Sequence, residues 1–108
     1  MAGNIVHLTD DNFQDIINGN QTVIIDSWAE WCAPCKAIAP LYEKLAGKYG
    51  DKMTFAKLNT DENIGTMRAL KIMNIPTFVI FKNGDIVKKW SGADAKRLTS
   101  TVEELVKN

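Results

Sequence analysis

The run Thr22-Val-Ile-Ile-Asp-Ser-Trp28 is nearly continuous in apolar and β-branched residues, the pattern of a central strand covered on both faces. Shorter stretches predict strands at Ile5 to Leu8 and Met53 to Asn59. Two more, Thr77 to Lys82 and Asp85 to Trp90, are joined by Asn83-Gly84, a two-residue hairpin signal. Between the strands the period changes to that of a helix. Phe13, Ile16 and Ile17 share a helical face that Thr9 or Asp10 caps and Asn18-Gly19-Asn20 ends. From Pro34 to about Tyr49, Cys35, Ile38, Tyr42, Leu45 and Tyr49 recur at spacings of three and four, and Pro40 within this helix is expected to kink it. Thr60 or Asp61 caps a short helix carrying Ile64, Met67 and Leu70, and Asp94 caps a last one with Leu98, Val102 and Leu105 inward.

The order β-α-β-α-β-α-β-β-α describes an α/β domain with a mixed central sheet and helices on both faces. The alternating part is expected to be parallel, with the hairpin as an antiparallel edge. No repeat, low-complexity segment or linker interrupts residues 1–108, so a single domain is expected.

Composition adds two constraints. With 45% hydrophobic residues the chain has enough apolar surface for a core without covalent staples. Thirteen basic and thirteen acidic residues cancel, which argues against a nucleic acid or an anionic membrane surface as partner. Asp10, Asp11, Asp15, Asp26 and Glu30 all precede the first lysine, Lys36, and read as a solvated acidic end. The opening Met-Ala-Gly-Asn-Ile-Val-His-Leu has no basic segment followed by an apolar one, and no apolar run approaches 18 residues. A soluble, cytoplasmic monomer is the expectation.

The chemistry concentrates at Trp31-Cys32-Ala33-Pro34-Cys35-Lys36, which holds both cysteines of the chain. A reducing compartment makes such a Cys-x-x-Cys catalytic or metal-binding rather than structural. A bond closing so short a loop stabilises a fold by only about 2 kcal/mol, so it can break without unfolding the protein. Pro34, at the first helical position, leaves Cys32 near the N-cap, where the helix dipole and unpaired N–H groups favour a thiolate. Lowering a thiol pKa from about 8.5 to about 7 requires about 2 kcal/mol, which a partly buried helix terminus supplies. The stripe beginning at Cys35 turns that residue toward the core, while Cys32 is expected at the open helix end with its sulfur exposed. Cys32 is therefore expected to attack and Cys35 to resolve.

Two charges interrupt apolar strands. Asp26 shares a face with Ile24 and Trp28, and Lys57 alternates with Met53 and Phe55 one strand later. Burial should raise the Asp26 pKa toward neutrality. The two charges are expected to pair, with Asp26 as general base for Cys35, directly or through a water. Ile75-Pro76-Thr77 opens a strand where proline costs no ladder bond. His7, on an edge strand, is expected to be solvated. Trp28 is expected in the core and Trp31 over the Cys32 sulfur. Structural zinc wants four ligands, and two cysteines plus one remote histidine do not complete a site; no metal and no cofactor is expected.

Taken together, Asp26, Trp28-Ala29-Glu30-Trp31-Cys32, Pro34-Cys35-Lys36, Pro40, Asp61-Glu62-Asn63, Ile75-Pro76-Thr77-Phe78, Lys82-Asn83-Gly84 and Gly92-Ala93 resemble the thioredoxin family over essentially the full length. The resemblance implies a thiol-disulfide oxidoreductase that reduces disulfides in client proteins and is recharged by a thioredoxin reductase. It implies Cys32 as nucleophile, Cys35 as resolving thiol, Asp26 as base with Lys57 beside it, and a cis Pro76 facing the cysteines. Clients would dock by main-chain bonds to Ile75 on a surface of Trp31, Ala33, Pro34, Ile75, Pro76, Gly92 and Ala93. The chain departs from the family at Ala33, where glycine is usual, at Ser27, where an aromatic is common, and at Met73-Asn74. Ser27 is expected to concern packing more than chemistry. Competing expectations are an oxidant or isomerase of the same fold, a binding subunit whose redox state is irrelevant, and a two-chain metal or iron-sulfur bridge.

Overall fold

A computed structural model describes residues 5–107; the first four residues of the N-terminal stretch and Asn108 lie outside the described residues. Five strands, β1 (Ile5–Leu8), β2 (Thr22–Trp28), β3 (Thr54–Asn59), β4 (Thr77–Lys82) and β5 (Asp85–Ser91), form one sheet in the order β1-β3-β2-β4-β5. Four helices are interspersed: α1 (Phe13–Gly19), α2 (Ala33–Tyr49), α3 (Ile64–Ala69) and α4 (Ala95–Lys107). The apolar run of β2 is explained by its place, third of five strands and zipped to β3 on one side and β4 on the other.

Alternation along the strands divides the core in two. Ile24, Phe55, Phe78 and Ile80 pack against Ile38, Tyr42 and Leu45 of α2 and Leu98 and Val102 of α4. On the opposite face Val23, Ile25, Ala56, Leu58, Val79 and Phe81 meet Ile17 of α1 and Leu70 and Ile72 after α3. Helices thus cover both faces, as the pattern predicts. The α2 stripe is inward as expected, with Cys35, Ile38, Tyr42 and Leu45 buried.

The strand directions differ from expectation at one point. β1, β3 and β2 are mutually parallel, but β4 runs antiparallel to β2 as well as to β5. The antiparallel part therefore begins inside the sheet, not at its hairpin edge. After α3, the segment from Leu70 to Pro76 leads the chain into β4 at the end where β2 and β3 finish. That brings Ile75-Pro76 to the end of the sheet from which Cys32 follows β2.

Helix ends depart from the sequence expectation in instructive ways. Ala33, not Pro34, is the first residue of α2, and Pro34 is the second. Neither Thr60 nor Asp61 caps α3. The Asp10 carboxylate does so from across the fold, accepting from Gly65 N (3.3 Å), Thr66 N (2.7 Å) and Thr66 Oγ1 (2.6 Å); these bonds hold its pKa below the usual carboxylate value. The turn into α1 is closed instead by Thr9 and Asn12, whose side chains bond each other's main-chain N–H. Asp94 does cap α4, accepting from Arg97 N at 3.0 Å. In the hairpin, Asn83 (φ 52°) and Gly84 (φ 87°) both take positive φ, as a two-residue turn of the favoured twist requires.

One core residue is less apolar than its stripe suggests. The Tyr42 hydroxyl reaches between β2 and β3, lying 2.7 Å from Ala56 O and 3.0 Å from Ile24 O and accepting from Ala56 N at 3.2 Å. Burial, with Asp26 nearby, pushes the phenol pKa well up, so it stays neutral. Tyr42→Phe is expected to lower stability by about 1–3 kcal/mol, because buried main-chain groups lose a partner. Urea unfolding at pH 7 measures this; an unchanged midpoint would show that β2 and β3 re-pair unaided.

Candidate active site

Cys32 and Cys35 are joined as a disulfide with a Cα–Cα separation of 5.3 Å. Cys32 is the N-cap of α2, and its sulfur accepts the Cys35 N–H at 3.2 Å. Its own carbonyl starts the helix by accepting from Lys36 N, and its N–H is bonded to Ala29 O. Pro34 has no N–H, so the first turn presents the donors of Ala33 and Cys35 at the sulfur end. The position is the one a thiolate would favour.

The two sulfurs do not differ in exposure as expected. Each cysteine is only 3% exposed, and both pack with Ala29, Trp28 and Ile75. They differ in placement: Cys32 caps the helix and faces the Ile75 carbonyl at 3.8 Å, whereas Cys35 lies in the first turn on the buried stripe.

The peptide between Ile75 and Pro76 is cis. No main-chain hydrogen bond to Ile75 is made among the described residues, and an extended chain can use its open N–H and C=O. Around it, Trp31, Ala33, Pro34 and Ala93 are exposed, Ile75 and Gly92 are half-buried, and Pro76 is buried. Trp31 is 70% exposed, and its indole N–H donates to Asp61 at 2.9 Å. That bond holds the ring on a hollow of about 350 Å³ shared with Met67, Met73 and Ile75.

On β2, Asp26 is 1% exposed and neither carboxylate oxygen has a hydrogen-bond partner among the described residues. Desolvation pushes its pKa to about 7, with Lys57 pulling partly the other way. Asp26 and Lys57 are direct neighbours in the β2–β3 register. The ammonium, however, lies over the Trp28 ring, 5.4 Å from its centroid, beside a hollow with His7, Asn59 and Glu62. The structure thus gives Asp26 a nearby positive charge without a bonded partner. His7 is exposed on the edge strand β1.

Sequence reasoning missed Asp61, which holds Trp31, and Ser27, whose hydroxyl bonds the main chain of Thr77. Ser27 carried a signal, a hydroxyl in a strand otherwise fit for burial. Among the described residues no group of three His, Cys, Asp or Glu side chains could hold a metal ion, and no helix is long and apolar enough to cross a membrane.

Comparison with known proteins gives the same picture from outside. The protein-family model described as Thioredoxin matches residues 4–104. The chain belongs to the thioredoxin family. It is 48% identical over 89 residues to thioredoxin of Alicyclobacillus acidocaldarius, covering 82% of this chain and 85% of that one. To thioredoxin of Staphylococcus saprophyticus it is 44% identical over 100 residues, 93% of this chain and 95% of the relative. Plasmodium falciparum thioredoxin superposes with a TM-score of 0.87 at 38% identity, over 92% of this chain and 97% of that one. Family membership and the Cys32–Cys35 disulfide make this thioredoxin-family chain a thiol-disulfide oxidoreductase, a protein-disulfide reductase. Disulfide-bearing client proteins and a thioredoxin reductase are partners of the family in general.

Proposed function

We propose that the reduced protein acts on client disulfides through Cys32, with Cys35 resolving and Asp26 as general base. The observation carrying this reading is the placement of the Cys32 sulfur, at the N-cap of α2 and 3.8 Å from the open Ile75 carbonyl. A client strand lies along Ile75, over Pro76 and between Trp31, Ala33 and Pro34 on one side and Gly92 and Ala93 on the other. Main-chain bonds to Ile75 bring the client disulfide in line with the Cys32 thiolate. Attack forms a Cys32–client bond and breaks the client S–S bond; the departing client sulfur takes a proton. Asp26, as a carboxylate, then takes the Cys35 proton, directly or through a water, while the charge of Lys57 favours its ionised form. Cys35 attacks the Cys32 sulfur, the Cys32–Cys35 bond forms, and the second client sulfur leaves and is protonated. The client gains two electrons and the protein loses two. A thioredoxin reductase restores the dithiol, and the protein works as a single-domain monomer in the cytoplasm.

The test is the reduction potential of the Cys32–Cys35 pair, by equilibration in thiol redox buffers. A value below about −230 mV, in the range of thioredoxins as a class, is expected of a reductase. A value above about −200 mV would make the same fold a disulfide donor or isomerase, since electrons would then flow toward the protein from the glutathione pool.

A further inference from the structure

We propose that Ser27 is a positioning residue for client docking, holding the Ile75–Pro76 segment in place against the Cys32 sulfur. The inference rests on the docking role proposed above for Ile75. Ser27 is wholly buried on the α1 and α3 face of β2, and its register partner is Thr77, the residue after Pro76. Its hydroxyl donates to Thr77 O at 2.6 Å and accepts from Thr77 N at 3.0 Å. One side chain therefore satisfies both main-chain polar groups of Thr77.

The clamp extends to both ends of the docking segment. The Pro76 carbonyl accepts from Gly92 N at 2.8 Å, so the peptide between Pro76 and Thr77 is held at its oxygen by Gly92 and at its nitrogen by Ser27. The Thr77 hydroxyl donates to Asn74 O, and Ser91 Oγ lies 2.8 Å from that same hydroxyl. With the Thr77 proton used on Asn74, Ser91 is the donor. Ile75 and Pro76 thus sit between two fixed points, Asn74 and Thr77, and both fixings run through Thr77. Ile75 itself has no main-chain bond among the described residues, so its carbonyl stays 3.8 Å from Cys32 Sγ only as firmly as its neighbours are held. Docking geometry tolerates displacements of about half an ångström. Ser27 touches neither sulfur nor client. It acts through Thr77.

An apolar side chain at position 27 would remove the side-chain acceptor of the buried Thr77 N–H and the donor to its carbonyl, which loosens the segment. Ser27→Ala is therefore expected to raise the KM for a disulfide-bonded test protein about tenfold, with kcat within about twofold. Reduction of a small symmetrical aromatic disulfide, which needs no strand docking, should change by less than about twofold. Ser27→Thr, which keeps the hydroxyl, should restore the KM. In parallel, the Thr77 amide of Ser27→Ala should exchange its hydrogen at least about ten times faster while Val79 is unaffected. A residue that merely stabilised the fold would lower the unfolding midpoint and leave the ratio of the two substrates alone. An unchanged KM, an equal loss on both substrates, or an unchanged Thr77 exchange rate overturns the proposal. If Ser27→Thr does not fold, the substrate ratio and exchange rate of Ser27→Ala decide. Ala93→Asp separates the two levels, since Ala93 is exposed on the docking surface. If it raises the KM and Ser27→Ala does not, only the role of Ser27 fails. If neither does, the docking surface itself is misplaced.

Discussion

Replacing Cys32 with serine should abolish protein-disulfide reduction, by more than about a thousandfold, because a hydroxyl at that helix end is not ionised at neutral pH and is no nucleophile toward sulfur. Cys35→Ser should fail differently. Its Cys32 thiol still has the N-cap position and the Cys35-position N–H, which is main chain and survives the substitution. One attack on a client therefore proceeds, but no thiol follows to release the mixed disulfide. Incubating each reduced variant with a disulfide-bonded test protein and separating the products without reductant distinguishes them: a covalent one-to-one adduct with Cys35→Ser, none with Cys32→Ser. An adduct formed only by Cys32→Ser would reverse the roles. Turnover by Cys32→Ser would remove the dithiol from the function altogether and leave a binding subunit.

The equal burial of the two sulfurs makes this test necessary. Sequence periodicity places Cys35 on the buried stripe and Cys32 at the cap, and the structure agrees on both placements. The expected contrast in exposure does not follow from them, because Trp28, Ala29 and Ile75 cover the pair from outside the helix. Features set within one element were legible in the chain: the cap at Cys32, the Asn83-Gly84 turn, the burial of Asp26 by strand alternation. Features set by two distant segments were not. Nothing near Asp10 announces that it caps a helix more than fifty residues later, and that role took the cap from Thr60 and Asp61. The direction of β4 was not legible, because a short helix and the segment after it can lead into a strand of either direction: α1 precedes a parallel strand and α3 an antiparallel one. Lys57 was legible as a charge beside Asp26, yet its ammonium is drawn over Trp28, a contact set by side-chain reach rather than by register. Ser27 read as a packing substitution because its partner is the main chain of another strand.

Asp26→Ala should stabilise the oxidised protein at alkaline pH and slow the resolving step. Burial raises the Asp26 pKa from 3.8 to about 7, and Lys57 offsets only part of this. In the unfolded chain the carboxyl loses its proton near pH 4, so between about pH 4 and pH 7 the native state binds more protons than the unfolded state. Stability contributed by the retained proton is complete below the unfolded value and is lost as pH rises through about 7. Above that, folding carries an ionised carboxylate with neither oxygen bonded among the described residues, a cost on the order of 4 kcal/mol by linkage. Removing the carboxyl removes that cost but leaves a small void, so the expected net gain at pH 8.5 is about 2–3 kcal/mol, shrinking to nothing or to a slight loss at pH 4. Urea unfolding of oxidised wild type and variant at the two pH values measures it. A gain that does not change with pH would mean that Asp26 is not ionising in this range. The same substitution should remove the inflection near pH 7 from the rate at which the mixed disulfide is resolved, leaving the first attack by Cys32 within about twofold. If both effects fall at the same pH, stability and rate report one proton, that of the base proposed for Cys35, and the cost of burying it is the physical reason its pKa lies near 7.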